Sequence, residues 1–328
     1  MHIELLTELK ERKLNIWSDF LVKSGLQPDT DFDLVALLWD GDNLIATGAR
    51  LGNLLKCIAV DETRQGEGLT ATLITALKND AFSNNIYHLF LCTKPQNKGI
   101  FTDLFFYPVA ETDDVLLMES KKDGISNFLQ SLKNNKTTGI NGCVVMNCNP
   151  FTLGHRYLIE TASRECDNLF VFVVSEDKSR FSYKDRIEMV KEGTKDIQNV
   201  SVLPTGPYLI SSATFPTYFL KNRDNIAEIK CLLDIKIFTE YYAPHFNIRT
   251  RYVGCEPFSL ATEQYNIALK KFLPANGIEV KELPRFEIKN KPVSASRVRE
   301  LIESGNIREA SALVPDTTYN YLVNKGLI

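Results

Sequence analysis

The 328-residue chain contains no apolar run of the roughly 18 residues that a bilayer-crossing helix needs. Its opening residues, Met1, His2, Ile3 and Glu4, bring in an acid early and lack the basic stretch leading into an apolar segment that marks a secretory signal. A membrane is therefore not an expected partner, and the cytoplasm is the expected location. Charge of one sign is lacking too: 38 Lys and Arg stand against 41 Asp and Glu, a formal net charge of −3. That near balance argues against the broad electropositive surface that nucleic-acid binding calls for, so nucleic acid is not an expected partner. Cys-x-x-Cys pairs are missing as well. The seven cysteines, at 57, 92, 143, 148, 166, 231 and 255, are odd in number and scattered, which argues against zinc and disulfide frameworks and predicts reduced, buried thiols. Histidine is scarce at four residues, so a histidine set inside a recognisable pattern carries weight.

What is present is an ordinary globular composition, 44% hydrophobic and 24% charged, in a chain longer than the roughly 250–300 residues at which single cores divide. Two domains are expected. The first opens with Leu5, Leu6, Leu9, Leu14, Trp17 and Leu21 near helical spacing, which predicts a helix over residues 5–22. Three β-compatible runs follow, Leu34 to Trp39, Leu44 to Ala49 and Leu54 to Val60, separated by Asp40-Gly41-Asp42 and Gly52-Asn53. Those separators suit tight hairpins, so the runs predict an antiparallel meander. After Val60 comes a glycine-containing turn, Gln65-Gly66-Glu67-Gly68, and then a helical pattern through Leu69, Leu73, Ile74, Leu77 and Ala81. A turn feeding a helix N-terminus gathers backbone N–H groups, which suits a phosphate. This order resembles the acetyltransferase fold of the GNAT superfamily, whose loop reads Gln/Arg-x-x-Gly-x-Gly/Ala and holds the pyrophosphate of acetyl-coenzyme A. The resemblance makes Gln65, Gly66, Gly68 and Thr70 candidates for a coenzyme A or pantetheine-like ligand, with Thr70 standing where the family has a small residue. The alternative is that the two glycines only turn the chain into its helix.

Near residues 130–139 the composition becomes polar and loses its period, so the expected division is 1–133, a linker at 134–139, and 140–328. The second part alternates strand and helix: 142–146, 156–165, 169–174 and 184–193. The unbroken apolar run Leu169 to Val174 suits a strand covered on both faces. The expected class is α/β: a Rossmann-like domain with a parallel sheet and C-terminal helices, preceded by an α+β GNAT-like domain.

The chemistry concentrates between that domain's first strand and helix. Asn147, Asn149, Pro150, Phe151, Thr152, Gly154 and His155 form a loop in which Pro150 stiffens the turn and Gly154 lets backbone approach a ligand. The helix N-terminus adds N–H groups and partial positive charge. His155, in the first turn, can donate to a phosphate oxygen, and Thr152 can present its hydroxyl to the same place. A second element, Ser294-Ala295-Ser296-Arg297-Val298-Arg299, places Ser294 or Ser296 to cap a helix and Arg299 to meet phosphate. Between them, Arg186 can reach a phosphate, and Gly254 and Glu256 can border an adenosine at a strand end. The two elements resemble the signatures of the nucleotidyltransferase superfamily, Asp/Asn-Pro followed by His/Thr-x-Gly-His, and Ile-Ser-Ser-Thr-x-x-Arg. Asn149, Pro150, Thr152, Gly154, His155, Ser294, Ser296 and Arg299 fall in matching places.

Such a site transfers AMP without a covalent enzyme intermediate: it holds ATP and acceptor together and stabilises charge on the phosphates. His155, Thr152, Ser296 and Arg299 are the candidate catalytic groups, with ATP and a phosphate-bridging Mg²⁺ as cofactors and no dedicated protein metal site. The whole chain, including the runs Ser211 to Lys221 and Arg251 to Phe258, is similar to the citrate lyase ligase family. That resemblance implies activation of acetate as acetyl-AMP with release of pyrophosphate. It also implies acetyl transfer to the prosthetic-group thiol of the acyl carrier subunit of citrate lyase, which is thereby activated. Two alternatives stay open: an adenylyltransferase of cofactor synthesis acting on phosphopantetheine or a pyridine mononucleotide, and a GNAT-type N-acetyltransferase with a nucleotide-sensing domain.

Overall fold

The computed structural model describes residues 1–132, 138–177, 179–209, 216, 218–220, 226–255 and 260–328. By contacts the chain forms two compact units: Met1–Ile125 with Thr214–Leu233, and Ser126–Ala213 with Asp234–Ile328. A stretch that lies far along the chain is thus grouped with the first unit, where a single cut at 134–139 would leave it with the second.

The first unit contains β1 (His2–Leu6), α1 (Glu11–Lys23), β2 (Leu34–Asp40), β3 (Asn43–Leu51), β4 (Leu54–Val60), α2 (Leu69–Ser83), β5 (Phe90–Thr93), α3 (Lys98–Thr102), β6 (Tyr107–Glu111) and β7 (Leu116–Glu119). Leu5 and Leu6 therefore lie in a strand, paired antiparallel with Ala36 and Val35, and the helix begins only at Glu11. Their spacing fits a helical wheel, but pairing with β2 decides the matter. The hairpins fall where Gly41 and Gly52 stand, at φ 58° and 55°, a region open to glycine at little cost. The sheet order is β1-β2-β3-β4-β5-β7-β6. All its pairings are antiparallel except β4 with β5, which touch only at Leu54–Phe90 and Leu55–Leu91 before diverging. The helix expected after the glycine turn is α2. Its Leu69, Leu73, Ile74, Leu77 and Ala81 are buried with Ala36, Leu55, Leu116 and Met118 from the sheet.

The second unit begins at Ser126, within α4 (Gly124–Ser131), and continues with β8 (Asn141–Met146), α5 (Leu153–Ser163), β9 (Asn168–Val173), α6 (Tyr183–Thr194) and β10 (Val200–Pro204). After α7 (Ile226–Ile237), whose residues up to Leu233 group with the first unit, and α8 (Ala243–His245) come β11 (Ile248–Gly254), α9 (Leu260–Phe272), β12 (Glu279–Leu283), a small β13–β14 ladder (Glu287–Ile288, Lys291–Pro292), α10 (Ala295–Glu303), α11 (Ile307–Ser311) and α12 (Asp316–Asn324). Five strands form a parallel sheet in the order β10-β9-β8-β11-β12. Both faces are covered, as the apolar run of β9 requires. Leu169, Val171 and Val173 pack with Ile159, Val190 and Val298 from the helices, while Phe170 and Phe172 meet Phe246 and Tyr242 on the other side. Chain order reverses on either side of β8: β9 and β10 lie to one side and β11 and β12 to the other. The C-terminal end of β8 is therefore the switch point at which ligands bind in such sheets.

Candidate functional site

The loop leaves that switch point at Asn147. Its backbone is held from several sides at once. Phe181 N donates to Asn149 Oδ1 at 3.1 Å, and Leu153 N to Leu313 O at 3.0 Å. Arg186, fully buried, gives its guanidinium to the carbonyls of Asn147, Val174, Glu176 and Phe181 and to the side-chain oxygen of Asn147. Arg186 was expected at a phosphate. Here its guanidinium goes chiefly to main-chain oxygens, which pins the loop to the end of β9. Asn147 is exposed and also donates to Ser179 Oγ at 3.2 Å.

Thr152 caps α5, with its hydroxyl accepting from His155 N–H at 3.3 Å. His155 returns the bond: the Thr152 N–H donates to His155 Nδ1 at 3.0 Å. An N–H donor facing Nδ1 requires a lone pair there, so the neutral ring carries its proton on Nε2. The ring is half-buried, and that burial, helped by the positive charge of Arg285, pushes the imidazole down to about 4. His155 at neutral pH is thus an uncharged ring with a fixed tautomer. Its Nε2–H edge is the one the cap does not use. Phe151, named as a nucleotide contact, is fully buried and stacks on the His155 ring at 6.0 Å and 14°, so it supports the histidine from within the core. Gly193 makes room for it: a Cβ there would overlap the Phe151 ring.

Gly154 is required by a close approach. A Cβ at this position would lie 3.3 Å from the Val293 carbonyl oxygen, tighter than nine in ten real contacts. Within the described residues nothing accepts its N–H, whereas the amides of Leu153 and His155 on either side are taken. Val293 leads into the second element. Ser294 is the cap of α10, accepting from Arg297 N–H at 3.1 Å, which settles which serine starts the helix. Ser296, two residues on and exposed, accepts from Arg299 Nη2 at 3.0 Å. Arg299 Nη1 donates to the carbonyl of Asn149 at 2.6 Å. Two elements 150 residues apart are thus joined by one side chain. Two helix N-termini, the His155 N–H edge and a guanidinium lie within one neighbourhood, an arrangement that favours an anion with several oxygens.

Gly254 ends β11 beside β8, and Asn266 Nδ2 holds its carbonyl at 3.0 Å. Glu256 lies outside the described residues, as do parts of the runs 211–221 and 251–258. Gly193 and Val293 went unnoticed from sequence. Neither carries a chemical label, and each matters only through what approaches it. Among the described residues no group of three or more His, Cys, Asp or Glu is assembled as a metal site.

In the first unit Gly66 and Gly68 adopt φ 87° and 75°, and Gly68 starts α2 without a side-chain cap. Gln65, Gly66, Gly68 and Thr70 line a cavity of about 700 Å³ that includes the divergence of β4 from β5. Tyr218 and Phe219 line it as well, and Tyr218 is tied to the unit by Gln27 N–H on its carbonyl at 2.7 Å. Five of the cysteines are buried. Burial pushes the thiols of Cys57, Cys92 and Cys143 up to about 12, while Cys166 is half-buried and Cys255 is exposed, contrary to the expectation for all seven. No helix among the described residues is long and apolar enough to cross a membrane.

Residues 141–322 match the family described as the citrate lyase ligase C-terminal domain. A citrate (pro-3S)-lyase ligase of Escherichia coli strain K12 is 39% identical over 322 residues, covering 96% of this chain and 92% of that relative. One from Klebsiella pneumoniae is 41% identical over 310 residues, covering 93% and 91%. Among solved structures, Escherichia coli ElaA aligns with a TM-score of 0.33 at 18% identity, covering 37% of this chain and all of that one.

Proposed function

The chain belongs to the citrate lyase ligase family, and from that premise we propose how it works as the ligase that activates citrate lyase. ATP lies at the C-terminal edge of the parallel sheet, its phosphates between the first turns of α5 and α10. The acetate carboxylate attacks the α-phosphorus in line, an oxygen–phosphorus bond forms as the bond to the bridging oxygen breaks, and pyrophosphate leaves. The resulting acetyl-AMP is then attacked at its carbonyl by the carrier thiolate, forming the thioester and releasing AMP. The observation that carries this reading is the Arg299 bond to the Asn149 carbonyl, which brings both motif elements to one place.

His155 donates through Nε2–H to a phosphate oxygen and remains neutral while doing so. Because its tautomer is set by the cap, no reorganisation accompanies charge build-up on the phosphates. Gly154 N–H, Ser296 and Arg299 share that charge. Gly254 borders the adenosine. Magnesium carried in with the nucleotide would neutralise charge on the triphosphate, while the chain's own part is the set of N–H donors at Gly154, His155 and Arg299. The cavity of the first unit receives the pantetheine-like arm of the carrier's prosthetic group, its phosphate at the Gln65–Thr70 turn. The reaction takes place in the cytoplasm, where ATP is supplied.

Pyrophosphate exchange into ATP tests this directly. Exchange should depend on acetate, and net AMP release should require the carrier thiol as well. A stable dinucleotide product would instead indicate cofactor synthesis, and acetyl-coenzyme A consumption without ATP would indicate an N-acetyltransferase.

A further inference from the structure

We infer that Arg285 is a further phosphate-binding residue of the nucleotide site, delivered to the phosphate-loop edge of the sheet by the turn that follows β12; the inference rests on the ATP site proposed above. The topology brings it there. In the parallel pairing of β11 with β12, Leu283 lies level with Gly254, and Cys255 N–H donates to Leu283 O at 2.9 Å. The chain therefore leaves the sheet at Leu283 on the same edge at which β8 passes into the phosphate loop. Arg285 follows two residues later.

The turn is then held against the start of α5. The Phe286 ring packs on Tyr157 at 5.3 Å, two residues beyond His155. Phe286 O accepts from Val293 N–H at 3.0 Å, and Val293 O lies against Gly154. Arg285 is half-buried between these anchors, and its charge is felt by the His155 ring. The turn thus brings a guanidinium to the same strand-end edge as the start of α5, where the His155 ring is already fixed as an N–H donor. A planar fork of N–H donors suits phosphate oxygens in a way a lone ammonium does not.

The test uses the full chain with Arg285→Gln and Arg285→Lys, and reads ATP and AMP affinity by calorimetry, His155 titration by NMR, and acetate-dependent pyrophosphate exchange. Loss of the guanidinium should weaken ATP binding about tenfold or more, the effect of one charge-assisted phosphate contact. AMP binding should change less than about twofold on the same scale, because it lacks the β- and γ-phosphates. The KM for ATP should rise by more than kcat falls, and the His155 titration should move upward. Arg285→Lys should restore part of both effects. An Arg285→Gln protein that binds ATP within about twofold of the parent, or loses AMP and ATP affinity equally, overturns the assignment. If the parent shows the expected ATP dependence on Arg285 but no acetate-dependent exchange, the ligase chemistry fails while this residue's role stands. Normal exchange in both parent and Arg285→Gln does the reverse.

Discussion

At the scale of single residues, His155 shows how one side chain serves structure and chemistry through different edges. Nδ1 completes the cap of α5, and Nε2–H, which the cap does not use, is the edge that meets phosphate in the proposed site. Replacement by Gln should lower acetate-dependent exchange about 10²- to 10³-fold, the usual effect of removing one oxyanion donor. The lost cap bond should cost only about 1 kcal/mol of stability, so circular dichroism should still report a folded chain. The ring also predicts a pH effect. Its folded-state value of about 4 lies below the ordinary 6.5, chiefly through burial. Unfolded chains therefore take up the proton first as pH falls. The contribution of His155 to stability is complete above about 6.5 and is lost progressively down to about 4. Urea unfolding between those limits should accordingly be less pH-dependent in His155→Gln than in the parent.

Among elements, the contact of α6 with the loop decides how firmly the histidine is held. Gly193 leaves the space that Phe151 fills, and Phe151 carries the His155 ring. Gly193→Ala should displace that aromatic ring and destabilise by about 1–3 kcal/mol, a typical overpacking cost. Its kinetic signature should be a lower kcat with a smaller change in KM for ATP, because the imidazole shifts while the α10 side of the site remains. Arg186, on the same helix, has the complementary task of gathering carbonyls from the ends of β8 and β9. Lysine cannot reproduce that fork, so Arg186→Lys should cost about 3 kcal/mol in urea unfolding and raise the KM for ATP. If stability fell without any change in KM, the loop would not depend on this clamp.

On the scale of the whole molecule, the chain does not divide at a single point. Thr214–Leu233 belongs to the first unit, and Tyr218 is buried there. Both tryptophans, Trp17 and Trp39, are also in that unit, which gives it a private optical probe. Tyr218→Ala should lower the stability read by tryptophan fluorescence by about 3 kcal/mol, as expected for emptying a buried aromatic site. An unchanged fluorescence midpoint would mean that the segment contributes nothing to this core. No local pattern announces such a segment, because composition and period describe neighbours along the chain, whereas Gln27 and Tyr218 meet although they stand 191 positions apart in the sequence (218 − 27). The Asn147–His155 loop was legible for the opposite reason: its Asn-Pro turn, cap, glycine and histidine lie close together along the chain, directly after the strand, and their geometry is set by backbone sterics and capping. The same locality made the hairpins and the buried strand of the parallel sheet readable, and it misassigned Leu5 and Leu6, whose partner strand is about thirty residues away in the pairing. Residue types and their spacing therefore determined the class of fold and the two motifs, and with them the resemblance to the family. Only packing decided that Arg186 and Phe151 act from within the core, that Ser294 rather than Ser296 caps α10, and that Arg299 closes the site on Asn149, because each depends on distances between parts of the chain that sequence spacing does not encode.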